Sequence, residues 1–134
     1  MIQRYKRPDK KDALSIIQSS KEEMEFTLSL EITEKSASTI VKNVYECFRK
    51  LGDALLVMKG IDSQDHITSI KELLKLNINT KRPLGNIENL RILRHNINYY
   101  GYRPGIEETN DVVDLAKTCF NPLFKEVENK ISEK

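Results

Sequence analysis

The stretch SASTIVKNVYECFRKLGDALLVMKG, residues 36–60, decides the fold class of this chain. Its apolar residues recur at alternating steps of three and four, which is the spacing of one face of an α-helix. This stripe consists of Val41, Val44, Phe48, Leu51 and Leu55. Four more apolar residues widen it: Ile40, Tyr45, Leu56 and Met58. The stretch therefore predicts a long helix at the centre of the protein.

The ends of this helix and one position inside it are marked by small residues. Thr33 or Ser36 can cap its first turn, and Gly60 tolerates the positive φ that commonly ends a helix. Gly52 lies inside the helix, where it costs about 1 kcal/mol relative to alanine. Such a glycine predicts that another helix approaches closely at this point.

Four further segments show helical spacing. The first begins at Asp9 and carries Leu14, Ile17, Met24 and Leu28. The third, capped by Asp62 or Ser63, carries Ile67, Ile70, Leu73 and Leu74. The fourth, capped by Asn86 and ended by Gly101, carries Ile87, Leu90, Leu93, Ile97 and Tyr100. The fifth opens at Thr109 or Asn110 and carries Val112, Ala116, Cys119, Leu123, Val127 and Ile131.

Together these segments predict an all-α protein, a five-helix up-and-down bundle without strands. Pro122 lacks a backbone N–H and should kink the last helix. With 134 residues, the chain has room for a single domain, 1–134, whose core we place at 9–131.

Composition excludes several classes of protein. A hydrophobic fraction of 39% and a charged fraction of 31% fit neither a membrane protein nor a disordered chain. Cys47 and Cys119 lie in apolar periodic stretches, so we expect two buried thiols; the alternative is a disulfide, which would imply an oxidising compartment or a thermophile. We expect a cytoplasmic protein, because the start lacks a signal sequence and no apolar run could span a bilayer. Two isolated histidines do not provide zinc-ligand spacing, so no metal and no cofactor is expected.

The segment LRILRHNINYYGY, 90–102, is the one place where polar groups crowd a helix. Arg91, His95 and Tyr99 follow at steps of four on one side with Asn98 beside them, and Arg94 borders the core stripe. The basic residues of this neighbourhood, against Glu88 alone, give it a net charge of +4: Lys81, Arg82, Arg91, Arg94 and Arg103. It is either a solvated basic face or an anion site for phosphate or RNA.

The order of these helices resembles the HEPN family of small all-helical domains. The resemblance covers about 12–131 and rests on ALLVMKG at 54–60, HITSIKELL at 66–74 and RHNINYYG at 94–101. It implies a four- or five-helix bundle that dimerises, here through the region around the second and fourth helices. Many HEPN domains are metal-independent ribonucleases, often toxins paired with a minimal nucleotidyltransferase, and others only bind nucleotides or nucleic acid.

The ribonuclease signature of the family is an arginine followed, after four to six residues, by a histidine. Arg94 matches the arginine and His95 the polar residue that commonly follows it, but Tyr99 stands at the expected histidine position. The resemblance therefore implies a nucleotide-, RNA- or partner-binding module, with Arg91, Asn98 and Arg103 as further contacts. The alternative is a metal-independent endoribonuclease that uses Arg94, His95 and Tyr99.

Overall fold

Five α-helices make up most of the computed structural model, which describes residues 3–5, 7–63 and 65–133. They are α1 (Lys10–Leu28), α2 (Ala37–Met58), α3 (His66–Leu74), α4 (Asn86–Tyr100) and α5 (Ile106–Ser132). The predicted all-α five-helix bundle is confirmed. The last helix runs through Pro122 as predicted, and a kink at that residue stays a prediction.

Helix α2 is the centre of the bundle and packs against each of the other four helices. Its predicted stripe is buried from Val41 to Leu55. Before its first turn, the Thr33 amide donates to Ser36 Oγ (2.8 Å) and the Ser36 amide donates to Thr33 Oγ1 (3.1 Å). The two predicted capping residues therefore hydrogen-bond to each other just before the helix, and the Ser36 side chain makes no capping bond to it. Gly60, at φ 73°, follows its last turn as predicted.

Helix α3 lies directly against Gly52, as the sequence predicted. A Cβ atom at Gly52 would be 2.0 Å from the backbone oxygen of Ser69, so only glycine allows this approach. The predicted cap of α3 was wrong: Asp62 and Ser63 belong to a strand, and the Asp65 side chain accepts from the Thr68 amide.

Three apolar residues assigned to the core are exposed instead, namely Leu14, Ile67 and Tyr100. On α4 the buried residues, Ile87 and Leu90, lie in its first half, and the second half ends with Tyr100 in solvent, 76% exposed. Helix α4 follows Gly85 as its N-cap, so Asn86 is a helical residue rather than a cap. Helix α5 begins at Ile106, one turn before Thr109, and its predicted stripe is buried.

The prediction that the bundle has no strands was wrong, because a short antiparallel ribbon accompanies the helices. Strand β1 (Gln3–Tyr5) pairs with β2 (Ile61–Ser63), with Gln3 opposite Ser63. Each strand has three residues, which is too short for a period of two to stand out in the sequence. The ribbon joins the N-terminal segment to the connection between α2 and α3.

The two cysteines are buried free thiols, as predicted. Burial raises the pKa of the Cys47 thiol to about 12, which keeps it protonated at neutral pH. Across the part of the chain that the structure describes, no helix has the length and apolar character needed to cross a bilayer.

Candidate functional site

Helix α4 carries five of the six predicted site residues, and they form two contacting pairs. Arg94 meets Asn98, whose amide oxygen accepts from Nε at 3.1 Å and from Nη2 at 3.2 Å when it is oriented towards the guanidinium. The rings of His95 and Tyr99 lie 4.6 Å apart between centroids. Arg103 follows α4 and is exposed, and no described contact joins it to the other five residues.

Arg94 is the best-positioned side chain of this group, because residues of α2 hold it as well. Its guanidinium carbon lies 5.4 Å from the ring centroid of Tyr45, which is fully buried. Its Nη2 lies 3.8 Å from Glu46 Oε1. The Arg94 side chain is 22% exposed, so part of it still reaches solvent. Within the described ranges, no hydrogen bond is made by its Nη1 atom.

A chain of polar contacts extends from Glu46 along α2 to α3. Arg49 donates to Glu46 Oε2 through Nε (2.9 Å) and Nη2 (2.7 Å), and its Nη1 donates to Asp53 Oδ2 (3.0 Å). Asp53 also accepts a hydrogen bond from Ser69, which is buried in α3. Arg94 is thus one end of a polar cluster that joins three helices.

Sequence reasoning missed Tyr45, Glu46 and Arg49 as parts of the site. The spacing of Glu46, Arg49 and Asp53 is that of intrahelical ion pairs, so their mutual contacts were predictable in principle. Their contact with Arg94 depends on how α2 and α4 pack. Burial raises the pKa of the Tyr45 hydroxyl to about 12, although nearby Arg94 lowers it, so Tyr45 is not a proton-transfer group at neutral pH.

In the folded structure, nearby acidic side chains largely neutralise the basic residues of the neighbourhood around 90–102. Arg91 pairs with Glu88 at 2.6 Å, and Arg82 pairs with Asp111 at 3.0 Å and Asp114 at 3.1 Å. Glu88 is already included in the net charge of +4, and Asp111, Asp114 and Glu46 reduce the net charge of this neighbourhood to +1. The site is therefore not a diffuse basic face, and recognition of an anion depends on individual arginines.

The outer surface of α4 is aromatic. Tyr99 and Tyr100 are 68% and 76% exposed, and Tyr102 lies beyond them with its hydroxyl donating to Glu108 at 2.7 Å. The His95 ring contacts both Tyr99 and Tyr100, with centroid distances of 4.6 and 5.7 Å. Such rings can stack on unpaired bases, while the neighbouring guanidinium can bind a phosphate.

The same geometry does little to prepare His95 for acid–base chemistry. His95 is exposed, and no hydrogen bond or ion pair among the described residues orients its imidazole. A general base has to be placed within hydrogen-bonding reach of the proton it removes. In one copy of the chain, the arrangement suits anion binding better than catalysis.

No group of three or more histidine, cysteine or acidic side chains that could hold a metal ion occurs in 3–5, 7–63 and 65–133. No protein-family model, curated protein or solved structure matches this chain.

Proposed function

We propose that this chain is a HEPN-like module that binds a nucleotide or RNA at the exposed face of α4. Arg94 contacts a phosphate, and the rings of Tyr99 and Tyr100 stack on bases. The observation that carries this proposal is the placement of Arg94: Tyr45, Glu46 and Asn98 lie against its guanidinium, its side chain stays 22% exposed, and Tyr99 and Tyr100 are exposed on the same helix.

Binding without cleavage is favoured over ribonuclease activity by two features of the same helix. Tyr99 occupies the position at which the HEPN signature has histidine, and it offers a phenol in place of the imidazole that most often serves in proton transfer. His95 follows Arg94 directly and its ring contacts Tyr99 and Tyr100, but no hydrogen bond or ion pair orients it in the described part of the chain. The alternative, a metal-independent endoribonuclease, is favoured only by the presence of Arg94, His95 and Tyr99 on one helix.

We also propose two kinds of protein partner. A second copy of the chain would meet the region around α2 and α4, where Ile92 is exposed, and would leave Tyr99 and Tyr100 to the ligand. Large exposed apolar side chains are typical of interaction sites. The HEPN resemblance adds a minimal nucleotidyltransferase as partner in a toxin–antitoxin-type pair, and a gene for such a protein next to this one would support the pairing.

Replacing Arg94 with alanine is expected to weaken binding of single-stranded RNA by about tenfold, since a charge-assisted contact to phosphate is lost. The salt dependence of binding should also become shallower, because one phosphate contact has gone. Fluorescence anisotropy of a labelled RNA, at several salt concentrations, measures both effects.

The matched control is Lys117→Ala, which removes the same charge from an exposed position on α5. This variant should bind RNA nearly as wild type does. Equal affinities for Arg94→Ala and Lys117→Ala would contradict a phosphate contact at Arg94.

Sedimentation at micromolar concentration is expected to show a dimer, with a mass of twice 15.5 kDa. Ile92→Glu should raise the dissociation constant of the dimer about tenfold or more, because it places a charge in the apolar part of the proposed interface. Phe26→Glu on α1 is the control, since Phe26 is also exposed but lies outside this region. A wild-type protein that stays monomeric at high concentration would refute the dimer.

A further inference from the structure

The Glu46 carboxylate lies between two arginines and contacts them differently. Both Nε and Nη2 of Arg49 donate to Glu46 Oε2, at 2.9 and 2.7 Å. The other oxygen, Oε1, faces Arg94 Nη2 at 3.8 Å, which is within ion-pair range but too long for a hydrogen bond. Arg49 therefore anchors Glu46, whereas Arg94 is attracted to it only electrostatically.

Arg49 can keep Glu46 in place without help from Arg94. Its Nη1 donates to Asp53 at 3.0 Å, so the guanidinium is fixed on both sides. Burial acts to lower the pKa of Arg49, but Asp53 and Glu46 outweigh it and raise this pKa above its ordinary value. If Arg94 turned to another acceptor, the Glu46 carboxylate would still have a charged partner.

Arg94 is held more loosely than Arg49. Its hydrogen bonds go to Asn98, a neutral and exposed side chain on its own helix. A phosphate oxygen is a stronger acceptor for a guanidinium than an amide oxygen, because the bond is charge-assisted on both sides. Arg94 can thus engage a phosphate while Asn98 continues to orient it.

We propose that Glu46 is an internal counter-ion that competes with the phosphate of the ligand for Arg94. This inference rests on the proposed function and adds that the interaction of Glu46 with Arg94 governs affinity and specificity at the site. A ligand has to replace the attraction of Glu46 for Arg94 with its own. Inorganic phosphate supplies only that one contact, so it binds weakly, whereas RNA adds stacking on Tyr99 and Tyr100.

Glu46→Gln tests the competition, because it removes the negative charge but keeps a side chain of the same shape. The affinity for a labelled single-stranded RNA should rise about two- to fivefold, the scale of a partly exposed ion pair. Glu23→Gln is the matched control. It also removes one acid from a partly exposed ion pair, the pair that Glu23 of α1 forms with Lys50 of α2. This control should change the affinity much less.

A second pair of variants adds a negative charge on α4 instead of removing one from α2. Asn98→Asp places a permanent carboxylate on Arg94 and should weaken RNA binding about tenfold. Asn89→Asp adds the same charge at another exposed position of α4, outside the cluster, and should have a smaller effect.

The outcomes separate this inference from the proposed function. If Arg94→Ala weakens binding while Glu46→Gln behaves as Glu23→Gln, the phosphate contact of Arg94 is supported and the competition of Glu46 with the ligand is refuted. The competition is also overturned if Asn98→Asp and Asn89→Asp weaken binding equally. If Arg94→Ala has no effect, the proposed function fails together with the inference built on it.

Discussion

Replacing Gly52 with alanine is expected to cost about 3 kcal/mol or more of unfolding free energy, a large part of the stability of a domain this size. The added Cβ would lie 2.0 Å from the backbone oxygen of Ser69 and 2.6 Å from its carbonyl carbon. Backbone atoms cannot turn aside as a flexible side chain can, so α3 as a whole would have to move. That shift would disturb Ile70 and Leu73, both fully buried.

Chemical denaturation of Gly52→Ala beside Gly85→Ala measures this effect. Gly85 has no heavy atom within 4 Å of an added Cβ and has φ −57°, so alanine should be tolerated there. Helix propensity alone would make Gly52→Ala more stable by about 1 kcal/mol. A variant at Gly52 as stable as wild type would show that α2 and α3 do not approach as described.

Replacing Tyr99 with histidine is expected to create metal-independent cleavage of single-stranded RNA, at about 100-fold or more above wild type. The substitution restores the group that the HEPN signature has at this distance from Arg94. An imidazole titrating near neutrality could take the 2′-hydroxyl proton, and the resulting oxygen would attack the adjacent phosphate. The 5′-oxygen would leave, producing a 2′,3′-cyclic phosphate while Arg94 stabilises the developing charge.

Two companion variants make this gain of activity specific. Tyr99→Phe removes the phenol without adding a base and should remain inactive. The double variant Arg94→Ala, Tyr99→His should lose the new activity, because the phosphate contact is gone. Tyr99 is 68% exposed, so these substitutions should not disturb the core. A folded Tyr99→His protein that binds RNA but never cleaves it would contradict a degenerate nuclease site.

The sequence predicted the fold best where the apolar periodicity is clear and extends over many residues. Helix α2 lies at the centre with its stripe buried, and Gly52 marks the close approach of α3. Helix α4 was harder to interpret, because Tyr100 continues the apolar spacing but extends beyond the part of the helix that contacts the core. Helical spacing identifies a face, but it does not determine how far the neighbouring helices cover that face.

The site was predicted only in part for a similar reason. The segment around Arg94 could be selected because polar and aromatic groups crowd one helix. Its electrostatics could not be predicted, since Glu46 is distant in sequence and reaches Arg94 only through the packing of α2 against α4. Asp111 and Asp114 likewise reach Arg82 from α5. A charge count along the sequence missed these acids and gave +4 where the fold leaves +1.

Binding of RNA without cleavage is tested most directly by a native gel of wild-type protein with end-labelled single-stranded RNA in the presence of EDTA. We expect a shifted band of intact RNA, and no shift of that size with Arg94→Ala. Fragments that end in a 2′,3′-cyclic phosphate, produced by wild type and lost in Arg94→Ala, would contradict binding without cleavage and identify the chain as an endoribonuclease.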